Sequence, residues 1–310
     1  MTDSFTVLEP GLLTTIQDLG RPHAVTAGVP AGGAMDRFAH TTANLLAGND
    51  RGAATVECTL IGPRLRALRD CVIALAGADL QPRVNGVEVE MWTAFGLNDG
   101  DELSFGRRRD GARLYIAIAG GFLGDRWLGS LATNLMSARG GMHGRALAAG
   151  DLLGAGQSLV PHEMGRTLGA SMRPRYGDHA LRTVAGPHAG RLTASSREAL
   201  HAATFTLHHD SNRMGYRLEG HRLETEGDDI LSFALVAGAV QLPRGGRPIL
   251  LMADHQTAGG YPVVATVVSA SMPVAAQLAP GDEVRFEAVS LEEALAMRAR
   301  QLAALESLMS

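Results

Sequence analysis

The chain is 310 residues long and 45% hydrophobic, and its 28 Lys+Arg against 32 Asp+Glu leave a net charge of −4. That length buries the core of one large or two ordinary domains without a metal or disulfide staple, and the balance excludes the basic excess of a nucleic-acid binder. All 28 cations are arginine, so this sequence holds no phosphate-loop lysine, no Schiff-base lysine and no lysine to carry biotin.

The first residues, Met1-Thr2-Asp3-Ser4, show neither a basic n-region nor an apolar h-region. No apolar run approaches the ~18 residues of a membrane span. A soluble cytoplasmic protein is expected. The first helix is predicted over about 35–47, where Phe38, Thr42, Leu45 and Leu46 recur at helical spacing before Gly48. Cys58 and Cys71 lie in apolar, strand-like surroundings without metal spacing and read as reduced core residues. Short β-like runs follow at 72–76, 114–118, 248–252 and 263–268, each bounded by Gly, Pro or Asp. A last helix is predicted from Ser290, whose hydroxyl forms a capping box with Glu293. Many strands, 38 glycines and few helices predict a mainly β chain of barrels or sandwiches. The segments Leu97-Asn98-Asp99-Gly100-Asp101, Leu278-Ala279-Pro280-Gly281-Asp282 and Leu147-Ala148-Ala149-Gly150-Asp151 echo one another, each a turn feeding a half-buried strand. The repeat suggests two related halves, 1–165 and 166–310, with a soft boundary at 161–174.

Common catalytic signatures are absent: no nucleophile elbow, zinc-protease helix or dinucleotide loop occurs. His208-His209-Asp210 is the nearest metal candidate. On a strand, neighbouring side chains diverge, so no metal site is expected there.

Four polar clusters stand out. The first joins Gln17, Asp18 and Arg21 to Asp36 across Gly32-Gly33 just before the first helix. Free N–H groups there suit an anion, although residue types alone favour Asp36 as a plain cap and Gln17 as a turn tie. The second holds His143 and Arg145 between Gly140-Gly141 and the Gly150-Asp151 turn, either a ligand loop or a plain turn. The third is Ser211-Asn212-Arg213, a guanidinium suited to a carboxylate or to a salt bridge. The fourth is Asp254-His255-Gln256-Thr257-Ala258-Gly259-Gly260-Tyr261-Pro262. A dense polar loop between two apolar strands points to function.

These residues carry a family resemblance. Residues 10–21 with Gly33-Ala34-Met35-Asp36 resemble the opening of the KipA family, which comprises the C-type subunits of 5-oxoprolinase, the second subunits of allophanate hydrolase and the A/B part of urea carboxylase carboxyltransferase domains. Residues 211–220 and 254–262 are similar to its two later signatures, and Gly238-Ala239-Val240-Gln241-Leu242-Pro243 stands before the second as in the family. The likeness runs from about Val7 to Phe286.

The resemblance implies cyclophilin-like β-barrels, a KipI-like protein as partner subunit and, in 5-oxoprolinase, a third subunit of LamB/YcsF type. It implies an ATP-dependent hydrolase that opens a small cyclic amide, or a carboxyltransferase whose biotin rides on another chain. On that reading Arg213 holds the substrate carboxylate, Gln256 with the Gly259 and Gly260 amides faces the developing oxyanion, and Asn212, Thr257, Tyr261, His143 and Arg145 complete the substrate-binding set. Asp254 orients or deprotonates. Where the family usually has arginine, glutamate and arginine, this chain has Leu131, Phe233 and His255. Those departures leave open an alternative, a non-catalytic KipA-like protein that antagonises a KipI-like inhibitor of a sensor kinase.

Overall fold

The computed structural model describes residues 2–158 and 164–309, so only 161–163 of the soft boundary at 161–174 lie outside the described residues. The chain forms two compact units. One comprises Met1–Arg21, Gly32–Pro174 and Leu302–Ser310; the other comprises Pro22–Ala31 and Arg175–Gln301.

Among the described residues, the first unit carries eleven strands: β1 (Thr2–Glu9), β2 (Leu13–Gln17), β3 (Thr55–Thr59), β4 (Arg64–Ala67), β5 (Cys71–Asp79), β6 (Pro82–Val84), β7 (Val87–Glu88), β8 (Thr93–Leu97), β9 (Glu102–Phe105), β10 (Asp110–Ile118) and β11 (Leu152–Ala155). They form a six-stranded sheet, β11-β1-β4-β9-β6-β7, and a five-stranded sheet, β2-β3-β10-β5-β8. One core lies between them: Phe5, Leu65, Leu103 and Leu153 from the first sheet meet Ile16, Val56, Leu75 and Ile116 from the second. Period-2 alternation in β4, with Leu65 and Ala67 in and Arg64 and Arg66 out, is what a sheet with one wet face requires. Helix α1 (Arg37–Leu46) starts where predicted, its first turn capped by the Asp36 carboxylate accepting from Ala39 N–H at 2.9 Å.

The second unit closes a seven-stranded barrel from β12 (Ala180–Ala185), β13 (Phe205–Leu207), β14 (Gly215–Gly220), β16 (Ala239–Gln241), β17 (Ile249–Leu251), β19 (Val263–Val267) and β20 (Glu283–Ala288). A separate two-stranded ladder pairs β15 (Phe233–Ala234) with β18 (Ala258–Gly259). Two short helices add to the pair predicted: α2 (Ala194–Ala202) and α3 (Met272–Ala276). Their apolar periodicity is too short to see in the sequence. The closing helix α4 (Leu291–Glu306) begins with the predicted capping box, Ser290 N–H to Glu293 at 2.7 Å and Glu293 N–H to Ser290 Oγ at 3.1 Å. Among the described residues, no helix is long and apolar enough to cross a membrane.

The three echoed segments adopt one turn. Gly100, Gly150 and Gly281 hold φ of 89°, 88° and 90°, the left-handed third position of a type II turn that glycine alone enters without strain. The next residue's carboxylate closes each turn, Asp101 accepting from Asn98 N–H at 2.7 Å, Asp151 from Ala148 and Asp282 from Ala279 at 2.8 Å. Each turn docks on a strand by the same exchanged pair. Gly100, Gly150 and Gly281 N–H donate to the carbonyls of Ala67, Val7 and Leu207, whose own N–H groups donate back to Asp101, Asp151 and Asp282. Leu97, Leu147 and Leu278 lead into the turns and are buried.

Candidate functional site

In the second unit, β14 and β17 pair through Gly215 and Leu251, and the ladder runs past their ends: Met252 N–H donates to Met214 O and Asp254 N–H to Arg213 O. That register sets Arg213 beside Asp254. Nε of Arg213 donates to Asp254 Oδ2 at 2.8 Å and Nη2 to Oδ1 at 3.2 Å, with both residues 7% exposed. This is a bidentate, charge-assisted pair. The guanidinium edge assigned from the sequence to a substrate carboxylate is filled by Asp254, and the carboxylate assigned as base is the arginine's own partner. Asn212 is likewise engaged locally, its side-chain oxygen accepting Met214 N–H at 2.8 Å.

The rest of the 254–262 loop folds back over the barrel wall. Leu235 N–H donates to Thr257 O at 2.9 Å, and β18 pairs with β15 immediately after. Beneath that ladder, Ala239, Leu251 and Val263 pack with Leu235, Phe233 and Ile249. Gln241 lies opposite Ile249 and Val263 in this apolar wall and is 1% exposed. Its Oε1 accepts Gln256 Nε2 at 3.1 Å, while its own Nε2 meets no acceptor among the described residues. His255 is buried, its Nδ1–H donating to Gln256 O at 2.7 Å. Gly260 and Tyr261 open instead on a groove of about 1170 Å³ with Arg191, Glu226, Asp229 and Arg244. Its cations are already engaged: Arg244 is paired with Asp229, and Arg191 donates to the Asp228 carbonyl.

The N-terminal cluster belongs to the first unit and is knit into a buried polar network. Asp18 accepts from Gly20 N–H at 2.7 Å and, with its two oxygens, from Ser130 Oγ and Leu131 N–H at 2.6 Å each. Arg21 is fully buried, donating to the Ala132 carbonyl with its guanidinium 4.7 Å from the Trp127 ring centre. Gln17 donates to Thr15 Oγ1 and to Thr133 O. Three residues that sequence reasoning passed over complete the network. Tyr115 donates its hydroxyl to Glu57 at 2.7 Å while accepting Asp36 N–H at 2.7 Å, and His40 meets Thr55 Oγ1 at 2.8 Å. Burial pushes Tyr115 well above its ordinary value and lowers His40 to about 4. Glu57 could have been suspected from its place in Thr55-Val56-Glu57-Cys58, a charge in a strand buried on both faces. The cap reading of Asp36 holds.

His143 and Arg145, also in the first unit, are exposed. His143 Nδ1 lies 2.9 Å from Asp125, and Arg145 grips Asp151 through both terminal nitrogens at 2.7 and 2.8 Å. That guanidinium holds the Asp151 carboxyl below its ordinary value. Arg145 thus braces one of the three repeated turns. Both cysteines are free, as expected, and burial raises Cys71 to about 11.

One expectation is corrected outright. Strand β13 stops at Leu207, so His208-His209-Asp210 sits on a turn whose side chains do converge, with one ligand atom from each within 4.8 Å of the others. The alternation that was to separate them ends one residue too early.

A closed seven-stranded barrel and a two-sheet unit within one chain make a mainly β protein of carboxyltransferase-domain class. The family of that description, carboxyltransferase domain, subdomain A and B, matches residues 27–288, and the chain belongs to it. It is similar to the C-type subunit of Escherichia coli 5-oxoprolinase, 36% identical over 298 residues that cover 95% of this chain and 94% of that protein. The corresponding 5-oxoprolinase protein of Haemophilus influenzae is 34% identical, covering 94% and 93%. Among solved structures, the K. lactis urea amidolyase superposes at a TM-score of 0.92 with 27% identity over 99% of this chain, which spans only 20% of that one.

Proposed function

We propose that this chain is the C-type subunit of a 5-oxoprolinase-like enzyme, an ATP-dependent hydrolase that opens a small cyclic amide together with KipI-like and LamB/YcsF-type subunits. The observation that carries the reading is end-to-end correspondence with the E. coli protein, 95% of one chain against 94% of the other. The urea amidolyases, in contrast, match this chain over a fifth or less of their own length.

The groove beside Tyr261 does not fit a nucleoside triphosphate. Its lining carries Glu224, Glu226, Asp228 and Asp229 against Arg191 and Arg244, and both arginines are already engaged. A polyphosphate needs unspent donors and a positive field. That groove is therefore not proposed as a nucleotide site; the family resemblance favours a nucleotide held with a partner subunit, and biotin, were it used, on another chain. The buried Arg213–Asp254 pair serves as the rigid floor of the 254–262 loop, and Gln256 is the ligand-facing group.

The test is to mix this chain with candidate KipI-like and LamB/YcsF-type subunits and measure glutamate released from 5-oxoproline with and without ATP. ATP-dependent release that needs all three chains supports the reading. A complex that forms but releases no glutamate, or release without this chain, overturns it.

A further inference from the structure

The turn between β13 and β14 sets three metal-ligand residues in a row, His208, His209 and Asp210, on a backbone that is held at both ends. Leu207, the last residue of β13, exchanges hydrogen bonds with the Gly281 turn. His208 N–H donates to Arg217 O at 2.9 Å, and Ser211 N–H to His208 O at 3.1 Å. The three side chains therefore start from a fixed frame, as a metal site requires.

Their spacing fits an ion. The two imidazole rings lie 4.0 Å apart, centre to centre. The Asp210 carboxylate spans them, with Oδ2 at 3.5 Å from His208 Nδ1 and Oδ1 at 3.4 Å from His209 Nε2. Neighbouring ligands on a tetrahedral ion held at roughly 2.0–2.2 Å stand about 3.3–3.6 Å from one another. The protons are placed to suit. Asp210 N–H donates to His208 Nδ1 at 3.2 Å, so Nδ1 carries a lone pair and Nε2 the hydrogen. Nε2 is turned toward the Glu219 carboxylate, 3.7 Å away, and an outer carboxylate of this kind commonly orients a ligating histidine. The ion takes over a lone pair that now receives one long backbone contact. The side chains of His209 and Asp210 are 77% and 66% exposed, so an ion reaches them without any rearrangement of the barrel.

We propose that His208, His209 and Asp210 bind one divalent transition-metal ion of the zinc class, with Glu219 orienting His208. Two imidazoles and a carboxylate select zinc, nickel or copper over magnesium and calcium, which take oxygen ligands. The ion braces the turn that leads into Arg213. The function proposed above neither requires this site nor supplies evidence for it.

The test is calorimetric titration of zinc chloride into the full-length, untagged protein after treatment with a chelator, at neutral pH. The expected result is one zinc per chain, bound more weakly than in four-ligand structural sites, with a dissociation constant on the order of 1–10 μM. His209→Ala and Asp210→Asn, both at exposed positions, keep the circular dichroism of the wild type and each weaken binding by at least about a hundredfold, while Glu219→Gln weakens it by about tenfold. Magnesium chloride gives no saturable heat. No saturable zinc binding below about 1 mM (adventitious chelation only), zinc binding that survives both His209→Ala and Asp210→Asn, or equal binding of magnesium overturns the proposal.

Discussion

Arg213→Ala is expected to destabilise the second unit severely. The two side chains of the Arg213–Asp254 pair are 8% and 9% exposed and share two hydrogen bonds, at 2.8 and 3.2 Å. Solvent screening is therefore slight, and truncating the arginine strands a carboxylate in a poorly hydrated site. Removing one partner of such a pair costs about 3–5 kcal/mol, most of it the penalty on the charge left behind. At roughly 2–4 °C per kcal/mol for a domain of this size, the melting temperature should fall by about 6–20 °C. Asp254→Leu combined with Arg213→Met removes both charges and should recover most of the loss, because the desolvation cost disappears with the attraction. Differential scanning calorimetry with urea unfolding at neutral pH measures all the variants. A melting point for Arg213→Ala within about 2 °C of wild type would refute the reasoning, since a free, ligand-facing guanidinium could be truncated at that small cost.

Three further outcomes follow from the geometry. His40 is fully buried with its pKa lowered from 6.5 to about 4, so the unfolded chain takes up a proton that the folded one refuses; stability should fall by up to about 3 kcal/mol as pH drops from 6.5 toward 4. Urea unfolding across that range should show a shallower fall in His40→Gln, and an NMR titration of His40 near 6.5 would contradict this. Gly281→Ala puts a Cβ into open space at φ +90°, so its cost is backbone strain alone, about 1–2 kcal/mol; a thermal melt unchanged from wild type would count against the repeated-turn assignment. Tyr115→Phe deletes the hydroxyl shared by Glu57 and Asp36 N–H, and should cost about 1–3 kcal/mol, read by chemical denaturation; equal stability would mean the hydroxyl is dispensable.

What the sequence determined by itself was whatever depends on a few consecutive residues. The repeated Gly-Asp turns were legible because a left-handed φ, a carboxylate three residues from an N–H and an alternating strand are all local requirements. The Ser290–Glu293 capping box and the Asp36 cap were legible for the same reason. The mainly β class followed from strand length and turn spacing. Tertiary structure decided everything that depends on which residue stands opposite which. Arg213 and Asp254 are 41 positions apart, and only the β14–β17 register makes them partners instead of two free charges. Arg145 looked available until the turn at Asp151 was placed within its reach. His208, His209 and Asp210 converge because β13 ends one residue earlier than alternation assumed. In the sequence Gln241 stood only as part of a family motif; the fold-back of the 254–262 loop is what sets its amide beside Gln256. A hydrogen bond or ion pair is worth little until both members are withdrawn from water together, and a linear sequence does not say which distant residues will be withdrawn as a pair.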